Sequence, residues 1–221
     1  MAPCRTGSAP LFRPGGEISA LAQRQELVIA SGNPNKVREI GAMLDAVDLT
    51  VLAQPDGLEI EETGDSFAAN ARLKAETVAR LTGRWTLADD SGLVVDALGG
   101  APGLFSARYA ASDAERIARL LQELGDTPYR SAAFHSALAL ADPGGHTRLE
   151  AEGICRGEIL LRPVEVAGSY GYNTIFHVRG AGCTYAEMGD HLLNKFGSRA
   201  KAARAMAPKL RALLGIGALS G

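Results

Sequence analysis

Apolar and polar positions follow two periods along the first half of the chain. Short runs rich in β-branched and aliphatic residues, typical of strands, lie at residues 27–30, 50–53 and 85–88. Between them, apolar positions at helical spacing predict one helix that carries Val37, Ile40 and Leu44, and a second from Ser66 to Leu81 with Ser66 as its N-cap. Strands that alternate with helices predict an α/β fold.

The second half of the chain begins with a capped amphipathic helix at Ser112–Leu124. Two long runs with strand character follow at residues 131–141 and 147–160, joined by the turn segment DPGGH, and they predict a hairpin lobe. A loop rich in Gly and Tyr leads to a last helix from about Ser198 to Leu214.

The domain organisation follows from the same pattern. Residues 1–24 are rich in Gly, Pro, Ala and Ser and carry no sustained periodicity, so we predict a disordered N-terminal extension. Residues 25–215 then form a single two-lobed domain, and residues 216–221 form a tail. With 221 residues and 46% apolar content, the chain is long enough for one sizeable core.

Charge and cysteine content exclude several classes of function. A formal net charge of -2 argues against broad electrostatic binding to nucleic acid or to an anionic membrane. The three cysteines are widely spaced without a C-x-x-C motif, which indicates neither a disulfide framework nor a zinc site. No apolar run approaches the ~20 residues that a membrane helix needs. We therefore expect a cytoplasmic protein that does not bind membranes.

A polar loop between the first strand and the first helix is a candidate phosphate site. Its residues are Ser31, Gly32, Asn33, Pro34, Asn35 and Lys36. Backbone N–H groups and the positive end of the helix favour an anion there, and Lys36 adds a point charge. The alternative is an ordinary polar turn that caps the helix with Asn or Ser.

Two adjacent aspartates, Asp89 and Asp90, follow the predicted strand at residues 85–88 and precede Ser91 and Gly92. Carboxylates at the edge of a core are unfavourable unless cations or donors compensate them, and oxygen ligands of this kind suit Mg²⁺. The alternative is a turn whose aspartates accept backbone hydrogen bonds. Glu61 is a candidate for a further carboxylate ligand, and the choice between Glu61 and its neighbour Glu62 stays open.

Four segments in this order resemble the inosine triphosphate pyrophosphatase family. They are SGNPNK (31–36), EETGDSFAANARLKA (61–75), ADDSGLVVDALGGAPGLFSARYA (88–110) and GYNTIF (171–176), and the resemblance spans roughly residues 26–214. It implies a two-lobed α/β fold with a mixed sheet, flanking helices and a central active-site cleft. It also implies a homodimer, dependence on Mg²⁺, and hydrolysis of ITP, dITP and XTP by water to the monophosphate and pyrophosphate.

The resemblance also implies roles for individual residues. Asp90 matches the catalytic carboxylate, and Glu61, Asp89 and Asp90 match metal ligands. The loop at residues 31–36, Lys74 and Ser91 match groups that bind the triphosphate. The purine base is expected against Tyr170, Gly171, Tyr172 and Asn173, and against Lys195, Ser198 and Arg199 near the last helix.

The chain departs from the family pattern at the expected base site. The usual Gly-Tyr-Asp-Pro is Gly171-Tyr172-Asn173-Thr174 here, Ser198 stands where His is expected, and Lys195 lies too close to Arg199. If Arg199 donates to the purine O6, ITP is preferred over ATP, because adenine presents another donor at that position. We expect weaker discrimination against GTP than is usual in the family.

Two other functions compete with this interpretation. A related pyrophosphatase, such as a Maf-like enzyme, would act on modified pyrimidine or methylated nucleotides. A protein that keeps the fold but only binds nucleotides is conceivable because the base loop is altered. The presence of Asp89, Asp90, Lys36 and Lys74 argues against the second alternative.

Overall fold

The computed structural model describes residues 24–44, 47 and 49–215. The predicted extension, apart from Arg24, and the predicted tail lie outside these residues. The strands are β1 (Gln25–Ala30), β2 (Leu49–Ala53), β3 (Trp85–Val95), β4 (Ser131–Ala141), β5 (Thr147–Ile159), β6 (Phe176–Val178) and β7 (Cys183–Thr184). The helices are α1 (Pro34–Leu44), α2 (Phe67–Thr82), α3 (Asp113–Leu124), α4 (Asp190–Phe196) and α5 (Ser198–Leu214). Short 3₁₀ helices cover Asp96–Leu98, Gly103–Arg108 and Tyr185–Glu187.

The described strands form one mixed sheet in the order β2-β1-β3-β4-β5-β6-β7. β1 pairs in parallel with both β2 and β3, and the remaining neighbours pair antiparallel. Helices cover the sheet, so the predicted α/β class with a mixed sheet and flanking helices is confirmed. No helix in the described part of the chain is both long and apolar enough to cross a membrane.

The strand prediction at residues 85–88 was wrong at its C-terminal end. β3 continues to Val95, and Asp89 and Asp90 lie in its middle, opposite Leu138 and Ala137 of β4. β4 extends the ladder past the point where β1 stops at Ala30, so the charged pair does not end the strand. The two carboxylates therefore project to opposite faces of the sheet, because side chains alternate along a strand.

The core divides at these aspartates. Before them, Leu87 packs in a cluster with α1 and α5 residues such as Ile40 and Met206, while Ala88 packs against α2 on the other face. After them, Leu93 and Val95 belong to a third cluster, which includes Leu120 of α3 and Phe176 of β6. β3 thus contributes to all three clusters, and its polar residues 89–91 lie between the residues of the first two and those of the third.

Helix α5 approaches β5 closely at Gly153. A Cβ atom built on Gly153 would lie 2.6 Å from the backbone nitrogen of Ala202 and still closer to the carbonyl oxygen of Ser198. Such contacts cannot be relieved by rotating a side chain, since both atoms belong to the backbone of α5. Gly153 therefore sets the distance at which α5, which carries Arg199, packs on the sheet.

We expect Gly153→Ala to lower the melting temperature by roughly 3 °C or more, since overpacking of this kind costs about 1–3 kcal/mol. Gly41→Ala is the matched control, because a Cβ at Gly41 in α1 meets nothing within 4 Å. Alanine in an open helical position should stabilise the protein by about 0.5–1 kcal/mol. Equal melting temperatures for the two variants, measured by calorimetry, would contradict the close approach of α5.

Candidate active site

Asp89 lies on the face of the sheet covered by α1 and α5, and it is 1% exposed. Its carboxylate receives hydrogen bonds from Arg199 at 3.1 Å and 3.2 Å and from the Ser91 hydroxyl at 3.1 Å, and Lys36 Nζ lies 3.0 Å away. Burial alone would raise the pKa of Asp89, but Arg199 and Lys36 outweigh it and hold the pKa well below its usual range. Asp89 is therefore ionised and fully compensated.

Arg199 is held between two carboxylates. Besides Asp89, its guanidinium forms a very short ion pair with Glu39 of α1, and Nη2 donates to Ser91 Oγ at 3.0 Å. Burial acts to lower the pKa of Arg199, but the two carboxylates raise it above its ordinary value. These bonds commit most of the guanidinium donors to the protein, which favours a structural role over the predicted reading of the base.

Asp90 lies on the opposite face, which α2 covers, and it is 6% exposed. Lys74 Nζ lies 3.1 Å from its Oδ1, and Asn70 Nδ2 donates to its Oδ2 at 3.2 Å. Asn70 and Lys74 are four residues apart in α2 and therefore lie on one face of the helix, which brings both to Asp90. Burial raises the pKa of Asp90, nearby Glu62 adds to the rise, and Lys74 opposes it. Asp90 is thus the more basic of the two aspartates.

The carboxylate that joins Asp90 is Glu62. Its Oε1 lies 2.7 Å from Lys74 Nζ, and its Oε2 lies 3.4 Å from Arg108. Burial raises the pKa of Glu62, but Lys74, Arg108 and Lys36 together bring it below its ordinary value. Glu61, which the resemblance placed at the metal, has an exposed side chain, because adjacent residues in this extended segment point in different directions.

The loop at residues 31–36 caps α1 as well as lining the site. Asn33 Oδ1 accepts hydrogen bonds from the backbone nitrogens of Asn35 at 2.9 Å and Lys36 at 3.4 Å, and Ser31 Oγ accepts from Asn33 N at 3.2 Å. Pro34 occupies the first helical position, where its missing N–H costs nothing. The capping alternative is therefore confirmed, and the same turn carries Lys36 to Asp89, while the phosphate site stays a prediction.

Two adjoining cavities meet at this loop. The charged cavity, of about 420 Å³, is lined by Ser31, Gly32, Asn33, Lys36, Glu62, Lys74 and Asp89, among others. The aromatic cavity, of about 380 Å³, is lined by Asn35, Ser91, Phe134, Ser136, Tyr170, Gly171, Tyr172, Asn173, Tyr185, Ser198 and Arg199, among others. Asn33 and Lys36 line both, so the two cavities adjoin and give the cleft a charged end and an aromatic end.

The two tyrosines of the predicted base loop differ in their surroundings. Tyr172 is 4% exposed, packs in the core, and donates its hydroxyl hydrogen bond to the carbonyl of Ser106 at 3.2 Å. Tyr170 is 39% exposed and presents the free ring of this loop. Stacking on a planar ligand is therefore available from Tyr170, whereas Tyr172 anchors the loop.

Two buried hydroxyls lie deep in the aromatic cavity. Ser198 and Ser136 are 2.8 Å apart, and either one can be the donor. Ser198 also interacts with Tyr185. The structure does not bring Lys195 to this cleft, because α4 leaves its side chain exposed and places its ammonium 5.1 Å from the Phe196 ring.

Sequence reasoning missed Glu39, Arg108 and Ser136 as neighbours of the site. Glu39 and Ser136 stand outside the four family segments, and contacts between distant segments bring them to the site. Arg108 lies within the segment at residues 88–110, but the resemblance implied no role for it, and only its contact with Glu62 identifies it as a neighbour of the site. Glu62 is different, because the sequence already offers it beside Glu61 as a candidate metal ligand.

The carboxylates offer part of a metal site. Oxygens of Glu62 and Asp90 converge on Lys74 Nζ, and one or two carboxylates completed by water and phosphate oxygens suit Mg²⁺. Among the described residues, no group of three or more His, Cys, Asp or Glu is placed to hold a metal by itself. These residues fit a cation that arrives together with an oxyanion ligand.

Known proteins share both the sequence and the fold. A model of the Ham1 family matches residues 27–209. A dITP/XTP pyrophosphatase of Nostoc sp. is 50% identical over 188 residues, covering 85% of this chain and 95% of that protein. A Synechococcus sp. protein of the same name is also 50% identical, covering 85% of this chain and 91% of its own length.

Solved structures of Ham1 proteins share the fold of this chain. A HAM1 protein from Coxiella burnetii superposes with a TM-score of 0.77 at 37% identity, covering 85% of this chain and 99% of its own. The Ham1 protein of Staphylococcus aureus gives a TM-score of 0.76 at 33% identity, covering 86% and 100%.

We expect Arg199→Ala to lower the free energy of unfolding by about 3–5 kcal/mol, because it leaves the buried Asp89 carboxylate without its guanidinium partner. Lys209→Ala, an exposed position on the same helix, should change that free energy by less than about 0.5 kcal/mol. Denaturant titration of both variants measures the difference. A cost for Arg199→Ala as small as that of the control would mean that Asp89 does not depend on Arg199.

Proposed function

The chain belongs to the Ham1 family, and on this premise we propose that it hydrolyses deaminated purine nucleoside triphosphates, namely ITP, dITP and XTP, to the monophosphate and pyrophosphate. The observation that carries the proposal is the pair of adjoining cavities, one charged and one aromatic, whose size suits a nucleotide. Relatives named for dITP and XTP support the choice of substrate.

The charged cavity accepts the triphosphate in this proposal. Lys36 and Lys74 lie at it on opposite sides of β3, and the N-terminal end of α1 adds a partial positive charge. Their positive charge offsets the negative charge that gathers on pyrophosphate as it leaves. Ser91 already bonds to Asp89 and Arg199, and its hydroxyl lines the adjoining aromatic cavity.

Asp90 acts as the catalytic carboxylate. Water attacks the α-phosphorus, the bond from this phosphorus to the oxygen shared with the β-phosphate breaks, and pyrophosphate departs with the bonding electrons. Asp90 accepts the proton of the attacking water, a task for which its raised pKa makes it better suited than Asp89. Asn70 orients Asp90 and is itself fixed, because its Oδ1 accepts from Gly64 N at 2.8 Å.

Glu62 and Asp90 would hold Mg²⁺ together with substrate phosphate oxygens. The bound cation would neutralise phosphate charge. Asp89, the third ligand that the resemblance implies, faces the other side of the sheet with its oxygens bonded to Arg199, Lys36 and Ser91. We propose that Asp89 serves chiefly to hold Lys36 and Arg199 in place.

The base is proposed to lie in the aromatic cavity, stacked on Tyr170. Because Arg199 is bonded to Asp89 and Glu39, we propose that Asn173 and the Ser136–Ser198 pair face the purine edge. A hydroxyl donates to O6 as readily as it accepts from N1–H. A homodimer and a cytoplasmic location, both expected from the resemblance and the composition, stay predictions.

Pyrophosphate release from a nucleotide panel with Mg²⁺ tests this function. We expect ITP, dITP and XTP to give the highest kcat/KM, with ATP and the pyrimidine triphosphates far behind. Preference for modified pyrimidine or methylated nucleotides would support the Maf-like alternative instead. Nucleotide binding without pyrophosphate release would support a protein that only binds.

The same assay with the Asp90→Asn variant tests the catalytic carboxylate. This change removes charge and the proton acceptor, so turnover of ITP should fall at least ~10²-fold. Asp126→Asn, at an exposed loop position, should keep wild-type turnover. Near-normal hydrolysis by a folded Asp90→Asn protein would overturn the assignment of Asp90.

A pair of neighbouring variants tests the metal ligand. Glu62→Gln should raise the Mg²⁺ concentration for half-maximal activity at least ~10-fold, because losing a group that supports a metal ion typically weakens metal binding by this factor or more. Glu61→Gln should leave that concentration unchanged, since its side chain is exposed. The opposite result, with Glu61→Gln alone showing the shift, would restore Glu61 as the ligand.

A further inference from the structure

Two backbone hydrogen bonds beside Tyr170 are long, from Ser169 N to Val166 O at 3.3 Å and from Asn173 N to Tyr170 O at 3.4 Å. The bond that closes the ends of this loop, from Val164 N to Thr174 O, is shorter, at 3.0 Å. The ring of Tyr170 is exposed and lines the aromatic cavity. A loop of this kind needs contacts from outside itself to keep an exposed ring in one position.

Asp113 supplies such a contact from the start of α3. Its Oδ2 accepts a hydrogen bond from the backbone nitrogen of Gly171 at 2.7 Å. The other oxygen, Oδ1, lies 2.6 Å from Arg116 Nη1, and Arg116 Nε donates to the carbonyl of Ala110 at 3.1 Å. The carboxylate is therefore fixed on one side by α3 and binds the loop on the other.

Asp113 binds the loop at the residue next to Tyr170. Gly171 directly follows Tyr170 and adopts φ +59°, a left-handed conformation that only glycine takes easily. One residue further on, Tyr172 is buried and bonded to Ser106. Asp113 and Ser106 thus fix two successive residues after Tyr170, and both belong to the chain between β3 and the end of α3.

We propose that Asp113 is a positioning residue for base recognition. It lines the aromatic cavity but not the charged cavity, and it does not bond to Asp90. It holds Gly171, and through Gly171 the ring of Tyr170, at the wall of the aromatic cavity. The inference rests on the proposed function, because it takes a nucleotide base as the group that lies against Tyr170.

Steady-state kinetics with ITP separate this role from a general structural one. Asp113→Ala should raise KM about tenfold and change kcat less than twofold, in line with the loss of one charge-assisted hydrogen bond. Inhibition by inorganic pyrophosphate, which has no base, should stay at the wild-type value. Asp113→Asn keeps an acceptor for Gly171 N and should restore most of the wild-type KM.

Two further variants serve as controls. Glu115→Ala removes another acidic residue from the first turn of α3, where Glu115 forms the capping box with Ser112, and its KM for ITP should match wild type. In a Tyr170→Ala background, Asp113→Ala should add little, because both changes act on the same ring. An unchanged KM in Asp113→Ala, or effects of the two changes that simply add, would overturn the proposal.

Calorimetric binding of ITP to the same variants separates the two levels of inference. If the wild type binds ITP but releases no pyrophosphate, the proposed activity fails while the weaker binding expected of Asp113→Ala is still measured. If the wild type hydrolyses ITP and Asp113→Ala binds it equally well, only the role of Asp113 fails. Absence of ITP binding to the wild type overturns both.

Discussion

The alternation of side chains along β3 is the constraint on which the rest of the site depends. Two adjacent aspartates would repel each other on one surface, but a strand sends Asp89 and Asp90 to opposite faces of the sheet. Each buried carboxylate then needs cations from the layer that covers its own face. Helices α1 and α5 bring Lys36 and Arg199 to one, and α2 brings Lys74 to the other.

The unequal lengths of β1 and β3 turn this arrangement into a cleft. β1 pairs with β3 only as far as Ala88, so the edge of β3 beyond that residue is free of a parallel partner. The chain leaving β1 forms the loop at residues 31–36, which lies beside this edge and lines both cavities. On the far side, β4 stays paired and keeps the aspartates buried.

Patterns local in the sequence predicted the elements well, and contacts between distant segments account for the failures. The capped helices and the long hairpin depend on neighbours within a few residues, so spacing is sufficient to find them. The extension of β3 depends on β4, about 45 residues later, and no local pattern reports it. Likewise, Tyr170 and Tyr172 look alike in sequence, and only the packing of the core shows which ring is buried.

The charges of the described site balance separately on each face of the sheet. Lys36 and Arg199 pair with Asp89 and Glu39 on one side, and Lys74 and Arg108 pair with Asp90 and Glu62 on the other. A nucleoside triphosphate adds several negative charges to a cleft whose own cations are already neutralised. It must therefore either draw lysines away from their carboxylates or bring a cation of its own. The face of Asp90 and Glu62 suits the second alternative, because these two carboxylates would hold a divalent ion, and Lys74 would then be free to face the phosphates. This exchange of partners gives a physical reason why binding of metal and of substrate should depend on each other in this protein.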